Sequence, residues 1–174
     1  MQTRGFNGFS YADVAMELGV TKASLHYHFP GKAELGEALI ARYAERFGTE
    51  LERIDAEGLA PQAKLAAYAS LYAGVLREDR MCLCGMLAAE YETLPAPMCD
   101  AILRFFDHNE GWLRTVMEEG RADNSMRFDG TAEDGAQTIL GGLEGAMLVA
   151  RPYRDVGRFE AAAARLIAGV TGTR

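Results

Sequence analysis

Residues 19–35 read GVTKASLHYHFPGKAEL and hold two of the chain's three histidines, His26 and His28, beside Lys22, Ser24 and Tyr27. Three chemistries use such a set: metal binding, acid–base catalysis and contact with a polyanion. Metal binding fails on geometry. Residues two apart on a helix point roughly 200° apart around its axis, so the two rings cannot close on one ion as an i, i+4 pair could. Catalysis would need a group to orient the imidazole and a dry cleft, and the sequence supplies neither. Contact with a polyanion fits better, because residues 18–33 contain no Asp or Glu and form a local positive island.

The elements that must carry these residues are short helices. Ser10-Tyr-Ala-Asp13 is a capping box, Val14, Ala15 and Leu18 fall on one face, and Gly19 stops the turn, which predicts a helix of about 10–18. Thr21 caps a second helix running to about His28, with Leu25 inward and Pro30 closing it. Two short helices joined by a glycine-containing turn make a helix-turn-helix. A third helix opens at Gly31 or Lys32 and continues to about Ala56.

In a helix-turn-helix the second helix enters the major groove, where its first residues meet base edges and flanking polar groups hold phosphates. Lys22, Ala23 and Ser24 occupy the first turn, where backbone N–H groups favour an anion. Ala23 is small enough to admit a base edge or a thymine methyl. His26 and Tyr27 follow as larger readers, His28 as a phosphate donor and Lys32 as a further phosphate contact. The competing reading makes one imidazole, His28 beside Phe29, and the body of Tyr27 packing groups only.

Net charge is −7, yet residues 1–46 carry five basic and five acidic side chains, so the whole acidic excess lies in residues 47–174. With 49% hydrophobic and 25% charged residues the chain has a globular balance. No apolar run approaches the roughly 18 residues needed to cross a bilayer, the opening MQTRGFNG lacks the apolar stretch of a secretory signal, and three cysteines argue against a disulfide scaffold. A cytoplasmic protein without a membrane partner is expected.

Beyond Pro61 the apolar spacing predicts helices of about 61–78, 82–94 and 97–119, a polar loop over Gly120–Gly130, a helix from the Thr131–Asp134 capping box to about Ala150, and a last one through Val170. A body pocket would draw on Tyr68, Tyr72, Met86, Tyr91, Phe105, His108, Trp112 and Met147, although such stripes also build cores. His108 and Trp112 each have a polar atom to orient a ligand. Cys82 and Cys84 read either as thiols activated by Arg80 and a helix start or as small buried hydrophobes. No metal set and no cofactor motif stands out.

The segment GFSYADVAMELGVTKASLHYHFPGKAELGEALI closely resembles the DNA-binding head of the TetR (tetracycline-repressor-like) family of bacterial transcriptional regulators. The resemblance implies an all-α fold: a helix-turn-helix head, placed at residues 1–46, and a ligand-binding and dimerisation body, at 47–174. It adds Ser10 and Tyr11 to the DNA contacts and implies a homodimer paired through its last two helices. Small residues Gly141, Gly142, Gly145 and Ala146, with Ala161–Ala164, suit close helix approach there, although they would serve the core within one chain equally well. The family's first helix is largely missing before Gly5-Phe6, so either the polypeptide begins upstream or Phe6, Phe9 and Leu39 are left partly uncovered.

The expected function is a non-enzymatic, ligand-responsive transcriptional regulator, a repressor released from a near-palindromic double-stranded DNA operator by a small molecule. The alternative is a helical small-molecule-binding protein or enzyme whose head no longer binds DNA.

Overall fold

A computed structural model describes residues 1–172 and contains eight α-helices and no strand among them. Three form the head: α1 (Tyr11–Leu18), α2 (Lys22–His28) and the start of α3 (Lys32–Ala56). The body follows as α4 (Pro61–Arg77), α5 (Leu83–Ala88), α6 (Ala96–Ala122), α7 (Ala132–Ala150) and α8 (Val156–Thr171), with 3-10 turns at Tyr91–Thr93 and Arg151–Tyr153.

The head forms where its end signals predict. Ser10 accepts from the Asp13 amide while Asp13 accepts from the Ser10 amide, a complete capping box, and Gly19 ends α1 at φ +66°. Thr21 caps α2, and Leu25 is its one buried side chain. Helix α3 then runs unbroken from head to body. Leu35 and Ile40 anchor its first half, and Phe47, Leu51 and Ile54 sit in the body core.

In the body, α7 packs between α6 and α8, α8 lies on α4, and α6 also backs α3. Large side chains fill the centre: Tyr68, Tyr72, Ile102, Leu113, Met117 and Phe159 are all essentially inaccessible. Burial of such apolar surface at about 25 cal/mol per Å² is the main favourable term holding the helices together.

Two boundaries depart from the periodicity. The expected helix of 82–94 stops at Ala88, because the chain turns at Glu90 to place its carboxylate on the backbone amides of Phe6 and Asn7. The loop expected over Gly120–Gly130 starts later, since α6 runs on to Ala122.

Residues 1–8 form turns that lie on the body. Gln2 and Met81 exchange backbone and side-chain hydrogen bonds, and Arg151 donates to the Thr3 carbonyl. Of the three apolar residues expected to be uncovered, Phe6 is buried, packed with Met98 over Gly36, whereas Phe9 and Leu39 border a groove with Val14, Leu18 and Leu35.

Candidate nucleic-acid interface and effector site

Exposed side chains line α2 from its start. Lys22, Ala23, Ser24, His26, Tyr27 and His28 all reach solvent, and Tyr27 is 85% exposed, so its hydroxyl and most of its ring are available. The His28 ring meets Tyr27 edge-on at 5.1 Å. His26 is oriented more tightly. Its Nδ1 lies 2.9 Å from the Pro30 carbonyl, which can only accept, so Nδ1 carries the proton and Nε2 is the acceptor of the neutral ring. Its imidazole also stands 4.7 Å from the Tyr11 ring.

Three residues expected at DNA are committed to the head itself. Tyr11 aims its hydroxyl at the carbonyls of Phe29 and Gly31, 2.7 Å from each, tying α1 to the end of α2. Ser10 is exposed, but its hydroxyl serves the capping box. Lys32 departs furthest from expectation. It turns inward, donates to the Phe9 carbonyl and sits 4.4 and 4.3 Å from the Phe6 and Phe9 ring centres, and burial lowers its pKa. Two aromatic faces and a carbonyl inside the head outcompete solvent for this ammonium.

The body residues separate into distinct surroundings. Tyr68 donates to Asn109 Oδ1 at 3.0 Å, so the 3.1 Å contact with Tyr72 must be a donation from Tyr72. Burial pushes both phenols well up. Phe105 and Met147 are also buried, and Met147 Sδ accepts the Cys82 amide at 3.1 Å. Trp112 stacks on Tyr68 and donates to Asp55, which pairs with Lys64 at 2.9 Å.

The remaining expected residues do not join that interior. His108 is exposed and lines a separate groove between α3 and α6 with Arg104, Glu45 and Glu52. Tyr91 stands at the surface, and Met86 lies half-buried beside Arg151.

Cys82 and Cys84 are buried, and burial with the nearby Glu144 carboxyl pushes both thiols up. Arg80, expected to activate them, pairs with Glu78 instead. The thiolate fraction needed for ready oxidation is therefore suppressed here.

Sequence reasoning passed over Glu144 and Tyr43. Both residues are half-buried and send their polar ends into the interior: burial, then Cys82, raises the Tyr43 phenol, and Glu144 is raised to about 7 by burial, partly offset by a hydrogen bond from Cys82. Glu144 left a readable signal, being the only charged residue between positions 135 and 150.

Two family profiles match the chain. "Bacterial regulatory proteins, tetR family" covers residues 1–39, and "Tetracyclin repressor-like, C-terminal domain" covers 61–166. The transcriptional regulator AcuR of Cereibacter sphaeroides is 27% identical over 152 residues, 85% of this chain and 69% of that protein. The nucleoid occlusion factor SlmA of a Marinomonas species is 30% identical over 120 residues, 67% of this chain and 59% of that one.

Among solved structures, a TetR-family regulator from Agrobacterium tumefaciens superposes with a TM-score of 0.91 at 30% identity, covering 95% of this chain and 88% of the other. The reduced form of E. coli NemR gives 0.81 at 26% identity, with the same shares covered.

Proposed function

We propose, since the chain belongs to the tetR family of bacterial regulatory proteins, that it is a ligand-responsive transcriptional regulator, a repressor that two copies form on a near-palindromic operator. The observation that carries the reading is the side of α2 without an acidic residue, where Lys22, Ala23, Ser24, His26, Tyr27 and His28 are all exposed. In a helix-turn-helix this face meets the major groove, Lys22 and His28 on phosphates and Ala23, His26 and Tyr27 toward bases. Tyr11 and Lys32 act one step removed, holding the head's shape.

The head is assigned to residues 1–46 and the body to 47–174, with the division falling inside α3. Pairing through α7 and α8 is supported by the outer face of α7. There a Cβ on Gly141 or Gly145 would meet open space, and Leu148 and Val149 are 60% and 55% exposed. Ala161, Ala162 and Ala164 on α8 extend the same kind of small, open surface. Paired this way, two recognition helices would address successive major grooves roughly 34–36 Å apart.

The effector is assigned to the body, and it acts by favouring the head spacing that no longer fits two grooves. No helix among the described residues is long and apolar enough to cross a membrane. No observation favours the reading as an enzyme or a binding protein without DNA.

A gel-shift titration of the protein on the DNA upstream of its own reading frame tests the proposal. Saturable binding that weakens steeply between about 50 and 200 mM salt is expected. Absence of binding by the full polypeptide would remove the regulator reading.

A further inference from the structure

Glu144 projects from the middle of α7 into the body and lays its carboxyl over the backbone of Gly85 in α5. A Cβ at Gly85 would fall 2.0 Å from Oε2, so the carboxyl fits only because position 85 has no side chain. Oε1 is out of contact with solvent and has no hydrogen-bond partner, and it is the one such buried side-chain atom among the described residues. The neighbouring polar groups are Tyr43 from α3, Tyr68 and Tyr72 from α4, and the Cys82 and Cys84 thiols before and within α5. From α6, the half-buried Glu110 also acts on Tyr68 through its charge. No Lys, Arg or His stands among them, and none of the ion pairs among the described residues involves Glu144.

A buried carboxylate with neither a cation nor a full set of donors is costly, and a fold that served stability alone would place an apolar residue there. Buried groups of this kind mark sites where a ligand completes the pairing. The rest of the interior says which ligand. Phe47, Tyr68, Tyr72, Phe105 and Trp112 meet ring to ring, with centroids 5.3–5.9 Å apart, and the Tyr68 and Tyr72 phenols of this cluster feel the Glu144 charge. An aromatic cluster coupled to one acidic carboxyl suits a cation carried on an apolar body. A metal ion suits the place less well, because no three His, Cys, Asp or Glu side chains among the described residues converge to hold one.

The geometry points to Glu144 as the anchor of the effector site and to a small organic cation, a protonated amine on an apolar or aromatic frame, as the class of effector. This rests on the body being the effector-binding part of the regulator. The ammonium donates to Oε1, its apolar part packs against the tyrosine cluster, and α5, a single helix of six residues, yields to admit it.

Three probes of matched size test the inference by calorimetry on the full chain: benzylamine, protonated at neutral pH, with benzyl alcohol and benzoate. Benzylamine is expected to bind saturably and at least about tenfold more tightly than benzoate. Glu144→Gln, which keeps the shape and removes the charge, is expected to cost the amine about tenfold or more and to leave benzyl alcohol within about twofold. The unmodified protein supplies a second reading free of folding effects: amine affinity rises as pH increases from 6 to 8, because a proton competes for a carboxyl raised to about 7. Equal binding of amine and benzoate, an indifferent Glu144→Gln variant, or a flat pH profile overturns the proposal. Each of those failures leaves operator binding untouched, whereas loss of operator binding would remove the regulator reading without altering the calorimetry.

Discussion

The Glu90 carboxylate, just past the end of α5, accepts the backbone amides of Phe6 and Asn7, so the segment that follows Gly85 reaches directly into the head. Asn7 adds a side-chain hydrogen bond to Thr93 at 2.8 Å. One end of α5 therefore touches Glu144 and the other holds the residues leading into α1. A displacement of α5 by an effector has a short covalent and hydrogen-bonded route to the recognition helix.

Replacing Glu90 with Ala should uncouple the two parts. The variant is expected to bind effector with unchanged affinity and to bind operator, but to lose most of the effector-induced drop in operator affinity. Calorimetry and gel shift on one preparation separate the two quantities, and an unchanged response would remove Glu90 from the route.

Two kinds of contact are predicted on the recognition face. Lys22→Ala should weaken binding to every sequence alike and lower the log–log salt slope by about 1, the signature of one lost phosphate contact. His26→Ala should instead relax one base position by about 1–3 kcal/mol. Because Nδ1 is held by Pro30, the neutral ring offers an acceptor, which predicts preference for a base-edge amino group there. Competition gel shifts with single-base variants of the operator check both, and uniform loss for both substitutions contradicts the division.

Tyr11→Phe deletes the hydroxyl that joins α1 to the carbonyls of Phe29 and Gly31. A loss of about 1 kcal/mol in head stability is expected, from one net hydrogen bond and two carbonyls left to water. Hydrogen exchange of the α1 and α2 amides measures it. A normal exchange pattern with lost DNA affinity would show that Tyr11 meets DNA directly.

Glu144 also fixes a pH dependence. Its folded pKa is raised from 4.5 to about 7, so the folded state holds the proton more tightly than the unfolded chain. The protonated carboxyl's contribution is present at low pH and is lost as pH rises from 4.5 to 7, a change of roughly 3 kcal/mol at most. Glu144→Gln should thus melt close to the parent at pH 5 and above it at pH 8. Denaturant titrations at both values check the sign, and a variant less stable at pH 8 contradicts it.

Much of this was legible in the sequence because the head uses strong local signals. The Ser10–Asp13 box, Gly19, Thr21 and Pro30 act within one turn of themselves, so their helices form where the residue types dictate. The family resemblance supplied the body's role, which periodicity alone did not. What stayed hidden depends on contacts distant in sequence. Lys32 reads as a phosphate ligand until Phe6 and Phe9 are brought around it. The helix after Cys82 looks long until Glu90 is seen to serve the head. Helical spacing alone groups His108 with the tyrosines, yet it faces the outer groove beside Gly48. Glu144 is readable as the lone charge on an apolar helix, but its burial depends on Gly85 of another helix, which no local signal reports.

The exposed face of α2 works as an operator reader only if two copies bind DNA symmetrically, and selection from a random double-stranded library by the full protein measures this. A two-fold symmetric consensus is predicted, with half-site centres about one helical turn apart. Leu148→Glu, which puts a charge into the α7 face twice over, should give monomers in sedimentation and lose the consensus. Enrichment of one asymmetric site by the parent protein, or of no sequence at all, would contradict it.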